Sequence, residues 1–203
     1  MTNTRKKTQD RIFTLTLLAM LIAVLVVLGM VNIPQPAGLS ITFNMIPVAI
    51  AAIALSYPGG AIVGGAFGLI SFLQCFGIFG FSAMGAALVN VSPQLMFVQR
   101  FISRLLVGLL TALVYSLLKK TRLDYKLSYT ITGFFAAFLN TLFFMSLLVL
   151  LFGHTEYMQS LMAGRSVLTF LVASVGINAV IEMVVSALVT GAVGIALKKA
   201  GLI

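Results

Sequence analysis

One cysteine, one histidine and four acidic residues in 203 leave little material for several kinds of chemistry. The single thiol, Cys75, excludes an intramolecular disulfide and a cysteine-based metal cluster, and it reads most simply as a small buried hydrophobe. No GxxxxGK[ST] phosphate loop is present, so the chain shows no ATP-hydrolysing module of its own. Charged residues make up only 8%, against 61% hydrophobic residues and a mean hydropathy of +1.14. A soluble domain of this size could not hide so much apolar surface, and the class is therefore an all-α integral membrane protein. The net charge of +9 is not a nucleic-acid signature, because no aromatic-interleaved basic stripe accompanies it.

The charge instead punctuates the apolar runs. Arg5, Lys6, Lys7 and Arg11 precede the first run, Lys119, Lys120, Arg122 and Lys126 cluster in the most basic loop, and Lys198 and Lys199 close the last helix. Arg100, Arg104 and Arg165 are the only cations elsewhere. With basic segments on the cytoplasmic side, six transmembrane helices follow, over residues 12–31, 41–56, 59–76, 94–118, 127–152 and 165–197, as a single domain with both termini in the cytoplasm. The first run lacks a small-x-small cleavage site and is expected to stay as a helix. Residues 32–40, with Pro34, Pro36 and Gly38, form an outer loop. Residues 77–93 return on the outside, and Ser82, Asn90, Ser92 and Gln94 make that segment too polar to face lipid unless it packs on protein.

The chain is organised around residues 39–76, LSITFNMIPVAIAAIALSYPGGAIVGGAFGLISFLQCF, which carry no charge at all. Two apolar runs separated by Ser56, Tyr57, Pro58 and Gly59 predict a helical hairpin buried in lipid. Asn44 is a candidate N-cap for its first helix, ahead of Pro47. Gly59, Gly60, Gly64, Gly65 and Gly68, with Ala61 and Ala66, leave the second helix so little side chain that a neighbouring backbone can approach closely.

Polar residues inside the remaining helices are the informative ones, since an ionisable group in lipid needs a partner or a wet cavity. Arg100 and Arg104 share one helix face at a spacing of four. Asn178 and Glu182 repeat that spacing two helices on, and Asn140 lies near the middle of the helix between. These groups could converge on one pocket. The plainer alternative is that Glu182 neutralises Arg104 while the asparagines join helices, and Arg100 has the further alternative of snorkelling to the interface. On the first helix, Ala19 and Ala23 make a flat strip of small side chains.

Taken together, Ala19-x-x-x-Ala23, the proline-containing first loop, the run ITFNMIPVAIAAIAL and the run PGGAIVGGAFGL resemble the substrate-binding S-component of energy-coupling-factor (ECF) vitamin transporters. Residues 41–76 look most like the pantothenate-specific members. The resemblance implies a bacterial cell-membrane protein that captures a vitamin from outside, works with a transmembrane T-component and two cytoplasmic ATPases that hydrolyse ATP, and binds no cofactor or metal itself. It also implies that Ala19 and Ala23 face the T-component, that the pocket lies toward the outer side, and that the protein topples in the membrane to release its cargo. For pantothenate, Arg100 would meet the carboxylate, and Asn140, Asn178, Asn90 and Gln74 would supply neutral hydrogen bonds. Riboflavin or hydroxymethylpyrimidine could occupy the same scaffold.

Two other classes fit less well. An intramembrane serine protease would pair a serine such as Ser82 with a histidine, but the only one, His154, falls in a different loop beside Glu156. A stand-alone permease would show an internal repeat, and none is evident.

Overall fold

Long apolar runs set the helix lengths, and the polar breaks between them set where the chain turns. The computed structural model describes residues 2–31, 33–34, 40–162 and 167–203. Its helices are α1 (Thr2–Met30), α2 (Met45–Leu73), α3 (Ala83–Val89), α4 (Pro93–Phe97), α5 (Ser103–Lys120), α6 (Tyr125–Phe152), α7 (Glu156–Met162) and α8 (Val167–Lys199). Among the described residues, five helical stretches are long and apolar enough to cross a membrane: 7–30, 45–76, 93–120, 125–152 and 178–199. Strands β1 (Ile33–Pro34) and β2 (Ser40–Ile41) add a short antiparallel pair between α1 and α2. Arg165 and most of the first loop lie outside the described residues.

The predicted hairpin is one bent element. Ser56 takes φ 57° and ψ −145°, a left-handed backbone setting in the middle of α2. A Cβ placed on Gly59 would sit 2.6 Å from the carbonyl oxygen of Ala51. In a straight helix those residues would be roughly 12 Å apart, so the chain folds sharply between limbs 45–55 and 57–73. The second limb lies on α5, where its glycines find their partner. A Cβ on Gly60 would strike the carbonyl of Gly108, one on Gly64 would come 2.6 Å from the Arg104 carbonyl, and one on Gly68 would come 2.9 Å from Phe101 Cα. Backbone-to-backbone approach of this kind is what small residues allow in a membrane helix pair.

Where the sequence predicts one helix over 94–118, the structure has α4, a π turn at Val98–Ile102 and then α5. The polar segment before it contains α3, whose first turn is capped by the Ser82 hydroxyl accepting from the Gly85 N–H at 3.2 Å. Asn44 does occupy the residue before α2, but its side chain makes no capping bond.

Two cores result. One gathers Leu17, Leu21 and Leu25 of α1 with Val48, Val63, Phe67, Val107, Ala136 and Ala137. The other joins α3, α4, α7 and the end of α6 through Met84, Leu88, Met96, Leu148, Phe152 and Met158. Outside both, Leu15, Met30, Leu150 and Leu188 are more than 60% exposed, which suits side chains facing lipid.

Candidate functional site

The bundle has a basic end and a cavity end. Tyr57 Oη lies 3.0 Å from Ser116 Oγ, which places the Ser56 bend beside the end of α5. Lys198 Nζ sits 3.9 Å from the centre of the Tyr125 ring, bringing the end of α8 to the start of α6. From that end the chain climbs sixteen residues of α5 to reach Arg104 and fifteen of α6 to reach Asn140. At ~1.5 Å per residue these are rises of ~24 and ~22 Å.

There a cavity of about 90 Å³ opens between α2, α5, α6 and α8, room for several water molecules. Its lining includes Thr42, Asn44, Ser71, Gln74, Ser82, Arg100, Arg104, Asn140, Phe144, Asn178 and Glu182. Three helices thus bring Arg100, Asn140 and Asn178 to one space, as their spacing allows. The two arginines share it even though the π turn at Val98–Ile102 interrupts the regular helix around Arg100.

Arg100 is 6% exposed. Its Nη1 donates to Ser71 Oγ at 3.2 Å and its Nη2 to Ser82 Oγ at 3.0 Å, while Nε has no protein partner. Its guanidinium carbon lies 5.1 Å from the centre of the Phe144 ring. Neutral hydroxyls and an aromatic face hold this cation in place without cancelling its charge. Snorkelling is excluded, because the side chain turns inward.

Arg104 is equally buried. Its Nη1 donates to Ser103 Oγ at 2.8 Å, its Nε is unpartnered, and its guanidinium lies 5.1 Å from the Phe67 ring and 4.6 Å from that of Phe144. Glu182 lines the same cavity, yet among the described residues it makes no ion pair with Arg104. Glu182 Oε1 instead accepts the backbone N–H of Thr42 at 2.8 Å. The expected charge pair is therefore not a direct ion pair: the two charges face a common space within electrostatic reach of each other, and each takes its hydrogen bonds from other groups.

The neutral groups divide. Asn140 reaches the cavity with a buried Oδ1 that has no partner, and Asn178 is half-buried in its wall. Gln74 also reaches it, but its amide nitrogen already donates to the carbonyls of Gly29 at 2.9 Å and Phe79 at 3.2 Å. Asn90 does not take part. It is exposed at the end of α3, donates to the Ala86 carbonyl at 3.0 Å, and lies off the cavity. Proximity in sequence to the polar return loop gave it a place that the short helix α3 removes.

Sequence reasoning missed Ser71, Phe144 and, as a cavity residue, Asn44. Phe144 could have been found, since it follows Asn140 by four and so shares its helix face. Ser71 sits in the apolar second limb of α2 with no charge near it in sequence. His154 is exposed in the loop between α6 and α7, whereas Ser82 holds Arg100, so the two do not assemble a hydrolytic site. Ala19 and Ala23 are both exposed on α1.

The arrangement is a partly enclosed polar cavity, lined by two arginines and a glutamate, set in a bundle of apolar helices. Among curated proteins no relative matches the chain. The family model for the ECF transporter, substrate-specific component, matches residues 13–194, from the first apolar turns of α1 to near the end of α8. The chain accordingly belongs to the substrate-specific components of ECF transporters, membrane proteins that capture a substrate for an ATP-driven importer and are not enzymes.

Proposed function

We propose that this protein captures pantothenate, a hydrophilic monocarboxylic acid carrying one amide and two hydroxyls. The observation that carries the reading is Arg100, a buried cation hydrogen-bonded to the neutral hydroxyls of Ser71 and Ser82. A charge so placed is stabilised by an anion that arrives from outside, through a charge-assisted bond. The count of charges agrees. Counted formally, the lining holds two arginines, Arg100 and Arg104, against one glutamate, Glu182, an excess of one cation that one carboxylate would match. Asn140 and Asn178 then meet the neutral part of the ligand.

In this reading the two limbs of α2 count as separate passes, giving six transmembrane helices with both termini in the cytoplasm. The basic end faces the cytoplasm, and the cavity opens toward the outside. The exposed Ala19 and Ala23 meet a T-component that carries two ATPases, and toppling of the whole bundle delivers the vitamin inside.

Calorimetry of the purified chain against a panel of water-soluble vitamins tests the ligand. Pantothenate should bind, and its alcohol analogue pantothenol, which lacks the carboxylate, should bind more weakly. Arg100→Ala should weaken pantothenate by about 2 to 5 kcal/mol, the range for removing one partner of a buried charge pair. The same variant should scarcely distinguish pantothenate from pantothenol. Equal affinity of the unaltered protein for the two compounds, or selective binding of riboflavin or hydroxymethylpyrimidine, would overturn the assignment.

A further inference from the structure

Asn44 stands out among the cavity residues. It is 1% exposed, and neither its Nδ2 nor its Oδ1 has a hydrogen-bond partner in the protein. A buried amide that the protein leaves unmet at both ends depends on the contents of the cavity for its hydrogen bonds, whereas an apolar residue of similar volume needs none. Its position before α2 would explain it as a helix cap, but it makes no capping bond. It lines the cavity that holds Arg100.

Something must keep this amide turned inward, and the neighbouring backbone shows what. Two residues earlier the N–H of Thr42 donates to Glu182 Oε1 at 2.8 Å, from the entry of α2 to the middle of α8. The bond spans 140 residues of sequence and fixes the short segment that delivers Asn44. Arg104 lies within electrostatic reach of both Arg100 and Glu182. Arg100 enters the cavity from the π turn before α5, and Thr42 and Asn44 enter it from the start of α2, with Thr42 tied to Glu182 of α8.

We propose that Asn44 is a specificity-determining residue that reads a neutral donor-and-acceptor group of the ligand, an amide or a hydroxyl, and that Glu182 is the positioning residue that aims it through Thr42. Nδ2 donates to the ligand's oxygen and Oδ1 accepts from its N–H or O–H, so a group able to do both satisfies the amide completely. A ligand bound this way lies across the cavity, with its carboxylate at Arg100 and its neutral polar end at Asn44. The inference rests on the pantothenate reading for its probe.

Binding is measured for pantothenate, for the analogue with both hydroxyls replaced by hydrogen, and for the ester analogue that lacks the amide N–H. The unaltered protein should lose about tenfold or more in affinity for at least one analogue, the value of one good hydrogen bond, and which one identifies the group read. Asn44→Leu should abolish that selectivity yet still prefer pantothenate to pantothenol, since Arg100 is untouched. Glu182→Leu should lose the same selectivity, and Glu182→Gln, which keeps an acceptor oxygen, should restore most of it. In the ligand-free protein Asn44→Leu should melt at or above the unaltered Tm, because the amide it replaces has no partner to lose. Retained selectivity in Asn44→Leu, or a fall in its ligand-free Tm by several degrees, would overturn the role of Asn44. Retained selectivity in Glu182→Leu would overturn the positioning role. If the unaltered protein binds no pantothenate, the ligand reading fails, and the melting comparison still decides whether Asn44 belongs to the scaffold.

Discussion

At the level of single side chains, Arg104 and Glu182 share a cavity, and each takes its hydrogen bonds elsewhere, at Ser103 and Thr42. Opposite signs at complementary depths look like a pair in sequence, but a side chain settles where its nearest donors and acceptors lie. Glu182 has a backbone N–H within 2.8 Å, and Arg104 has two aromatic faces within about 5 Å. A double-mutant cycle on stability, Arg104→Met with Glu182→Gln, should therefore give a coupling of about 1 kcal/mol or less. Coupling of 3 kcal/mol or more, the size for breaking a buried pair, would restore the direct ion pair. Asn44 teaches the same lesson from the other side. Its residue type and place before a helix both spelled a cap, but the backbone there is helical, φ −64° and ψ −14°, and the side chain makes no capping bond.

Among the helices, the glycines of α2 were legible as a contact surface and their partner was not. Gly108 stands alone in α5, with no repeat to mark it, yet it meets Gly60 and Gly64 where α2 and α5 cross backbone to backbone. Gly108→Val should destabilise the protein by about 3 kcal/mol or more in thermal unfolding in detergent, since rigid backbone lies where the new atoms must go. Gly65 is the control on the same limb. A Cβ there meets nothing nearer than 3.8 Å, so Gly65→Ala should be neutral or raise stability by up to about 1 kcal/mol. Comparable losses at both positions would show that the two helices do not cross as closely as their glycines require. The π turn at Val98–Ile102 belongs to this scale as well. It carries Gln99, whose amide donates to the Phe144 carbonyl at 3.1 Å, and so ties the arginine-bearing turn to the aromatic residue that both arginines approach.

For the whole molecule, the membrane class followed from composition, and its membership among ECF substrate-specific components agrees with that. Ala19 and Ala23 lie exposed on α1, a helix whose other side packs Leu17, Leu21 and Leu25 into the core. If that strip is the contact to the T-component, Ala19→Trp and Ala23→Trp should block ATP-driven uptake while leaving ligand affinity of the isolated chain within about twofold, because both positions are remote from the cavity lining. Uptake that persists with both positions enlarged would move the interface elsewhere.

Apolar run lengths, the scarcity of charge and the clustering of lysine and arginine determined the class, the helical architecture and the basic end, because insertion into lipid depends on composition averaged over about twenty residues. The same rule singled out Arg100, Asn140 and Asn178, since any polar group left in such a run is costly without a reason. What tertiary structure decided was pairing. It set Arg100 against Ser71 and Ser82, gave Glu182 to Thr42, removed Asn90 to the surface and brought Asn44 inside. Hydrogen bonds act over about 3 Å between residues far apart in the chain, and helix bends such as that at Ser56 reset which residues meet, so no local pattern encodes the partner.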